Sequence, residues 1–132
     1  MILFGCYSDQ SITIDGDGQA LLQFAVWMLE PRLPRDWYLS HPKQPPPHPY
    51  QHYLASVRIE ETVGKVTIAL DKAEAVISGG RESLALIGLN IRALAEDVPL
   101  TPYALTVPGC AHFDTEVYLT DFSLSMYVYR IE

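Results

Sequence analysis

ISGGRESLALIGLNIRALAED, Ile77 to Asp97, is the stretch that decides how this chain is read. It opens as the end of a strand, turns at Gly79-Gly80 and continues with apolar residues at helical spacing. Leu84, Ile87, Gly88, Ile91, Leu94 and Ala95 fall on one face, and Glu82, Asn90, Ala93 and Asp97 on the other. An echo lies 63 residues earlier in ITIDGDGQALLQFAVWMLE, Ile12 to Glu30. In register, Ile14 falls on Ile77, Gly16 on Gly79, Leu21 on Leu84, Phe24 on Ile87 and Ala25 on Gly88. A second pair of stretches, starting at His52 and His112, matches at an offset of 60, with Ile59 on Leu119 and Val66 on Met126. The pattern predicts an α+β chain built by tandem duplication of a β-α-β-β unit. It would form a mostly antiparallel sheet of six or seven strands with two helices on one face. One domain over residues 1–132 is expected, with pseudo-repeats at about 11–71 and 74–132 and a proline-rich connection at 31–51.

Within that frame the local signals are ordinary ones. Asp17 stands as the N-cap of a helix from Gly18 to about Glu30. Calcium is excluded at Asp15-Gly16-Asp17, because an EF-hand loop needs glycine and glutamate where this chain has Ala20 and Val26. Alternating runs at 53–60 and 65–71 predict one hairpin, and 112–119 with 123–131 another. Gly88, inside the second helix, predicts a close approach to a strand. Gly79-Gly80 reads as helix capping, since no P-loop lysine or hydroxyl residue follows it.

Charge bounds the partners. Nine basic and sixteen acidic residues give a net charge of −7, a balance that repels phosphate backbones and anionic membranes and favours basic proteins. The basic residues are scattered, so no nucleic-acid role is expected. The longest apolar run, Leu21 to Leu29 broken by Gln23, falls short of the roughly 20 residues that span a bilayer. Leu3-Phe4-Gly5-Cys6 has the look of a lipoprotein cleavage box but lacks a basic n-region and an apolar run before it. The two cysteines, Cys6 and Cys110, have no framework spacing, which predicts a reducing, cytoplasmic setting.

Candidate sites are few. On the first helix, Gln19, Gln23, Trp27 and Glu30 make a thin polar strip. An indole there either anchors a partner or is covered by a loop of its own chain. Seven of the ten prolines lie between Pro31 and Pro49, a stiff segment that carries Trp37 and Tyr38. It is either a recognition segment or a rigid crossover that packs those rings on the domain. Trp27, Glu30, Trp37 and Tyr38 are therefore the candidate partner-binding residues, with Asp114, Glu116 and Asp121 as a second acidic region. His52 and His112, matched in the second echo, are the candidate metal ligands if they meet. Cys110, His112 and Asp114 alternate on one face with the residue types of a catalytic triad, but no oxyanion motif accompanies them. No cofactor is implied.

The run ISGGRESLALIGLNIRALAE, followed by His112 and a closing segment with Ser123 before MYVYRI, resembles a family of small bacterial immunity proteins of polymorphic toxin systems. The resemblance covers the C-terminal half, and the proline-rich insert has no counterpart in it. It implies an α+β, non-enzymatic protein that binds and neutralises a cognate toxin, which the charge here would suit if the toxin is basic. Two other readings stand beside it. One is a small-molecule-binding protein, metal-binding protein or minor enzyme using a cleft between the repeats, with His52 and His112 at its mouth. The other is a structural subunit of a homo-oligomer, a homodimer pairing through exposed strands or the Trp27 strip.

Overall fold

The computed structural model describes residues 2–30, 36–96, 106–107, 110–114 and 118–131. Glu116 and Asp97 lie outside them, as does the start of the proline-rich connection at 31–35.

Leu3–Tyr7 (β1) turns at Ser8 and returns antiparallel as Ser11–Gly16 (β2), then enters helix Gly18–Leu29 (α1). Asp17 caps that helix, its carboxylate accepting from Ala20 N at 2.8 Å and from Ile2 N at 2.9 Å. Those two backbone donors hold its pKa down. After α1 come Asp36–Tyr38 (β3), His52–Tyr53 (β4), Ser56–Glu61 (β5), Thr67–Asp71 (β6) and Glu74–Gly79 (β7). Helix Arg81–Glu96 (α2), Thr106–Val107 (β8), Cys110–Phe113 (β9) and Ser125–Arg130 (β10) complete the described elements.

The strands form two sheets rather than the single one expected, in the orders β4-β1-β2-β10-β9-β8 and β3-β5-β7-β6. Both are mostly antiparallel. The two parallel pairs, β2 with β10 and β5 with β7, cross between the halves of the chain. This corrects the predicted hairpin of residues 53–60 with 65–71, because β5 and β6 are separated by β7, which lies between them. The final pair, β9 and β10, is antiparallel as expected, but Met126 faces Phe113 and the strand ends there. Residues 118–124 instead run along the outer edge of β6, bonding at Val66 N to Tyr118 O, Thr120 N to Val66 O and Leu124 N to Ile68 O. The outer edge of β1 is closed in the same manner, by Ser40 N to Leu3 O and Leu54 N to Gly5 O. Neither long hairpin therefore offers an open edge.

The 63-residue echo coincides with repeated pairings. Gly16 lies between Leu3 and Arg130, while Gly79 lies beside Glu61, and both glycines lead into a helix. Ile14, Ile77, Leu21 and Leu84 are all buried. The tandem β-α-β-β unit is not confirmed, because β5 after α1 pairs with β7, and β10 after α2 pairs with β2, each in the other half's hairpin. The offset-60 echo also fails: His52 sits on β4 beside β1, whereas His112 sits on β9 beside β10.

The core is one apolar cluster shared by both sheets and both helices. Ile12 and Ile14 of β2, Met126 and Val128 of β10, Val57 and Ile59 of β5, and Ile77 of β7 all turn inward. The helices lie side by side, α1 touching β2 and α2 reaching β7, β9 and β10. Gly88 is at their crossing, where an added Cβ would stand 3.1 Å from Leu29 Cγ. The close approach that the glycine permits is thus to the other helix, not to a strand. Asn90 also departs from the predicted water-facing side. It is buried, and its amide donates to Leu86 O at 2.7 Å.

Candidate functional site

The predicted partner-binding residues divide into core and surface. Trp27 is only 2 % exposed, because β3 lies over the helix strip where periodicity places the indole. Its ring meets Trp37 at 5.4 Å and Phe24 at 5.5 Å between centroids, and Phe24 meets Trp37 edge-on at 5.9 Å. Such tilted and T-shaped contacts are the favoured aromatic geometries. Trp27 therefore supports the fold and is not an anchor, and Trp37 is half-buried beside it. Glu30 ends α1, its backbone N–H donating to Trp27 O at 3.3 Å.

Tyr38 is different. Alternation along β3 turns Trp37 inward and Tyr38 outward, leaving it 81 % exposed. β3 is the edge of its sheet, and β5 is its one strand partner among the described residues. Beside it a recess of about 190 Å³ is lined by Leu3, Ala20, Trp37, Tyr38 and Ser40. The adjoining outer face is charged: Arg58 Nε is 3.1 Å from Asp36 and 3.7 Å from Glu74, and Glu60 is exposed on the same strand.

The outer face of the six-stranded sheet has another character. Cys6, Thr13, Asp15, Tyr127, Tyr129, Cys110 and His112 share it by register. The proline-rich segment folds toward it: Tyr53 Oη donates to Gln44 O at 2.8 Å, and the Tyr50 and Ser11 hydroxyls are 3.2 Å apart. Burial pushes the Asp15 carboxyl up to about 6, and a hydrogen bond from Thr13 offsets part of that. Burial likewise raises the Cys6 and Cys110 thiols, so neither is an activated nucleophile. β2 and β10 separate Cys6 from Cys110 by three strand spacings, about 14 Å, too far for a disulfide. This carboxyl was not singled out from the sequence, since only its burial in the fold makes Asp15 unlike any other strand acid.

The histidines do not meet. β1, β2 and β10 lie between β4 and β9, placing His52 and His112 about 19 Å apart across the sheet. His112 stacks on Tyr127, centroids 4.2 Å apart, and His52 stacks on Tyr7 at 5.3 Å. Among the described residues, no three of His, Cys, Asp and Glu gather closely enough to hold a metal ion. Cys110 and His112 share a face as read from the sequence, but Asp114 lies past the end of β9. An open cleft of about 530 Å³ lies between the ends of the two hairpins, lined by Tyr7 and Asp9 from one, Leu70 from the other, and His52.

Comparison of the chain with protein-family models, with curated proteins and with solved structures found no match. No helix among the described residues is long and apolar enough to cross a membrane.

Proposed function

We propose that the chain is a non-enzymatic, cytoplasmic protein-binding module of the immunity type, and that a basic toxin docks on the β3 edge around Tyr38. One observation carries the reading: an aromatic side chain 81 % exposed on an edge strand, next to a recess lined by Leu3, Ala20 and Trp37. Aromatic anchors beside small pockets are where binding energy concentrates. The strand is rigid because Trp37, its next residue, is locked against Trp27 and Phe24, so little freedom is lost on docking. A net charge of −7 speeds encounter with a basic partner. Two free thiols fit the reducing compartment.

The test is mixing the purified protein with the toxin encoded beside its gene. A stoichiometric complex that blocks the toxin's activity is expected. A neighbouring toxin that neither binds nor loses activity contradicts the reading.

A further inference from the structure

The cleft between the hairpin ends lies at the Tyr7 end of β1, about 13 Å along the strand from the Leu3 end where the Tyr38 recess lies. It is a separate place, and nothing below depends on the partner reading. Its position has a simple cause. Tyr7 and Leu70 stand near the ends of the two hairpins 63 residues apart, and Pro49, Gln51 and His52 from the end of the proline-rich segment line the gap between them.

Asp9 and Gln51 bring polar side chains to the lining. Among the described residues no hydrogen bond or ion pair engages the side chains of Asp9 or Gln51, both of them exposed. Ser8 by contrast is occupied, its hydroxyl accepting from Gln10 N and Ser11 N. Part of the lining is a ring pair: Tyr7 and His52 stack with centroids 5.3 Å apart and planes 23° from parallel. Leu70 and Pro49 make the apolar sides. Among the described residues no lysine or arginine lines the cleft, so an anion would meet the Asp9 carboxylate without a fixed positive charge beside it.

We propose that this cleft binds a planar cation of the guanidinium class, stacked on the Tyr7–His52 pair and held by the Asp9 carboxylate. The chemistry selects the plane as well as the charge. A guanidinium is weakly hydrated, stacks on aromatic faces and presents a fork of N–H donors that matches both oxygens of a carboxylate. Its aliphatic stem would lie along Leu70 and Pro49, as such stems do on apolar surface. An ammonium has equal charge but holds its water more strongly and offers no plane. A free guanidino compound and an arginine side chain of a polypeptide share this chemistry.

The experiment is an NMR titration of the full chain with methylguanidinium, glycyl-arginyl-glycine amide and methylammonium. Saturable shifts of the Tyr7 and His52 ring signals and the Asp9 amide are expected for the first two, with Kd on the order of 1 mM. Methylammonium should bind at least about ten-fold more weakly. Asp9→Asn, in an exposed turn that folds without that carboxylate, should weaken guanidinium binding about ten-fold and leave the rest of the spectrum unchanged. A peptide about ten-fold tighter than methylguanidinium supports the site and identifies its source as an arginine side chain. Equal affinities support it for a free compound. Equal binding of methylammonium, an Asp9→Asn protein that binds as before, shifts confined to the acidic face around Glu60 and Glu74, or no saturable shift would each overturn the proposal.

Discussion

Trp27 on α1 and Trp37 on β3 meet with ring centroids 5.4 Å apart and planes at 52°, tying the first helix to the edge strand of the second sheet. The contact decides what each ring does: both support the fold, and the neighbouring Tyr38 is left to face outward. Trp27→Ala should cost about 3 to 5 kcal/mol, since a large cavity adds to the lost transfer energy. Trp37→Ala should cost less, its ring being half-buried. Urea midpoints at constant slope measure both. An unchanged midpoint for Trp27→Ala would place that indole on the surface, against the structure.

Much of the fold was legible in the chain. The Asp17 cap, both helices and the strand before each follow from local periodicity and turn chemistry, which act within a few residues. Trp27 was left open between a partner anchor and a covered ring, because a helical wheel shows which side faces away from the main stripe, not what lies over that side. The cover comes from β3, a three-residue strand too short to leave a pattern. The offset-60 echo misled for a related reason: alternating strands match one another at many shifts, since a period of two repeats with every second residue. Strand partners drawn from opposite halves, as in β2 with β10, leave no local trace at all. Of the candidate site, Tyr38 was named and its exposure follows from alternation. The recess beside it required Leu3 and Ala20 to be brought together by folding.

Gly79 tests the passage from β7 into α2. A Cβ there would stand 2.8 Å from Val66 Cγ2 and 3.0 Å from Val66 Cα, so backbone must move to admit it. Gly79→Ala should destabilise by about 1 to 3 kcal/mol, as overpacking does. Thermal or urea unfolding checks it, and a neutral or stabilising effect would mean that β6 and β7 are not so closely apposed.

Asp15 sets a pH dependence with a defined sign. The unfolded chain releases this proton near 3.8 and the folded chain near 6. Between those values the folded state holds more protons, so this residue's contribution to stability falls as pH rises from about 4 to 6, and the full penalty persists above 6. Asp15→Asn should therefore be more stable than the natural protein at pH 7.5, with the gap closing toward pH 4. A gap that is independent of pH, or that widens in acid, would show that Asp15 is not desolvated in the folded state.

The central claim is that a basic partner is held at Tyr38 and drawn in by the acidic surface. Stopped-flow association and dissociation with the toxin encoded beside the gene, over a range of ionic strength, tests it most directly. Tyr38 is 81 % exposed, so Tyr38→Ala should leave the unfolding midpoint unchanged. Association should slow as salt rises, because exposed charges more than about 8 Å apart are largely screened at physiological ionic strength. Tyr38→Ala should raise the dissociation rate about ten-fold or more with little change in association. An association rate indifferent to salt, or a Tyr38→Ala protein that dissociates at the natural rate, would contradict the account.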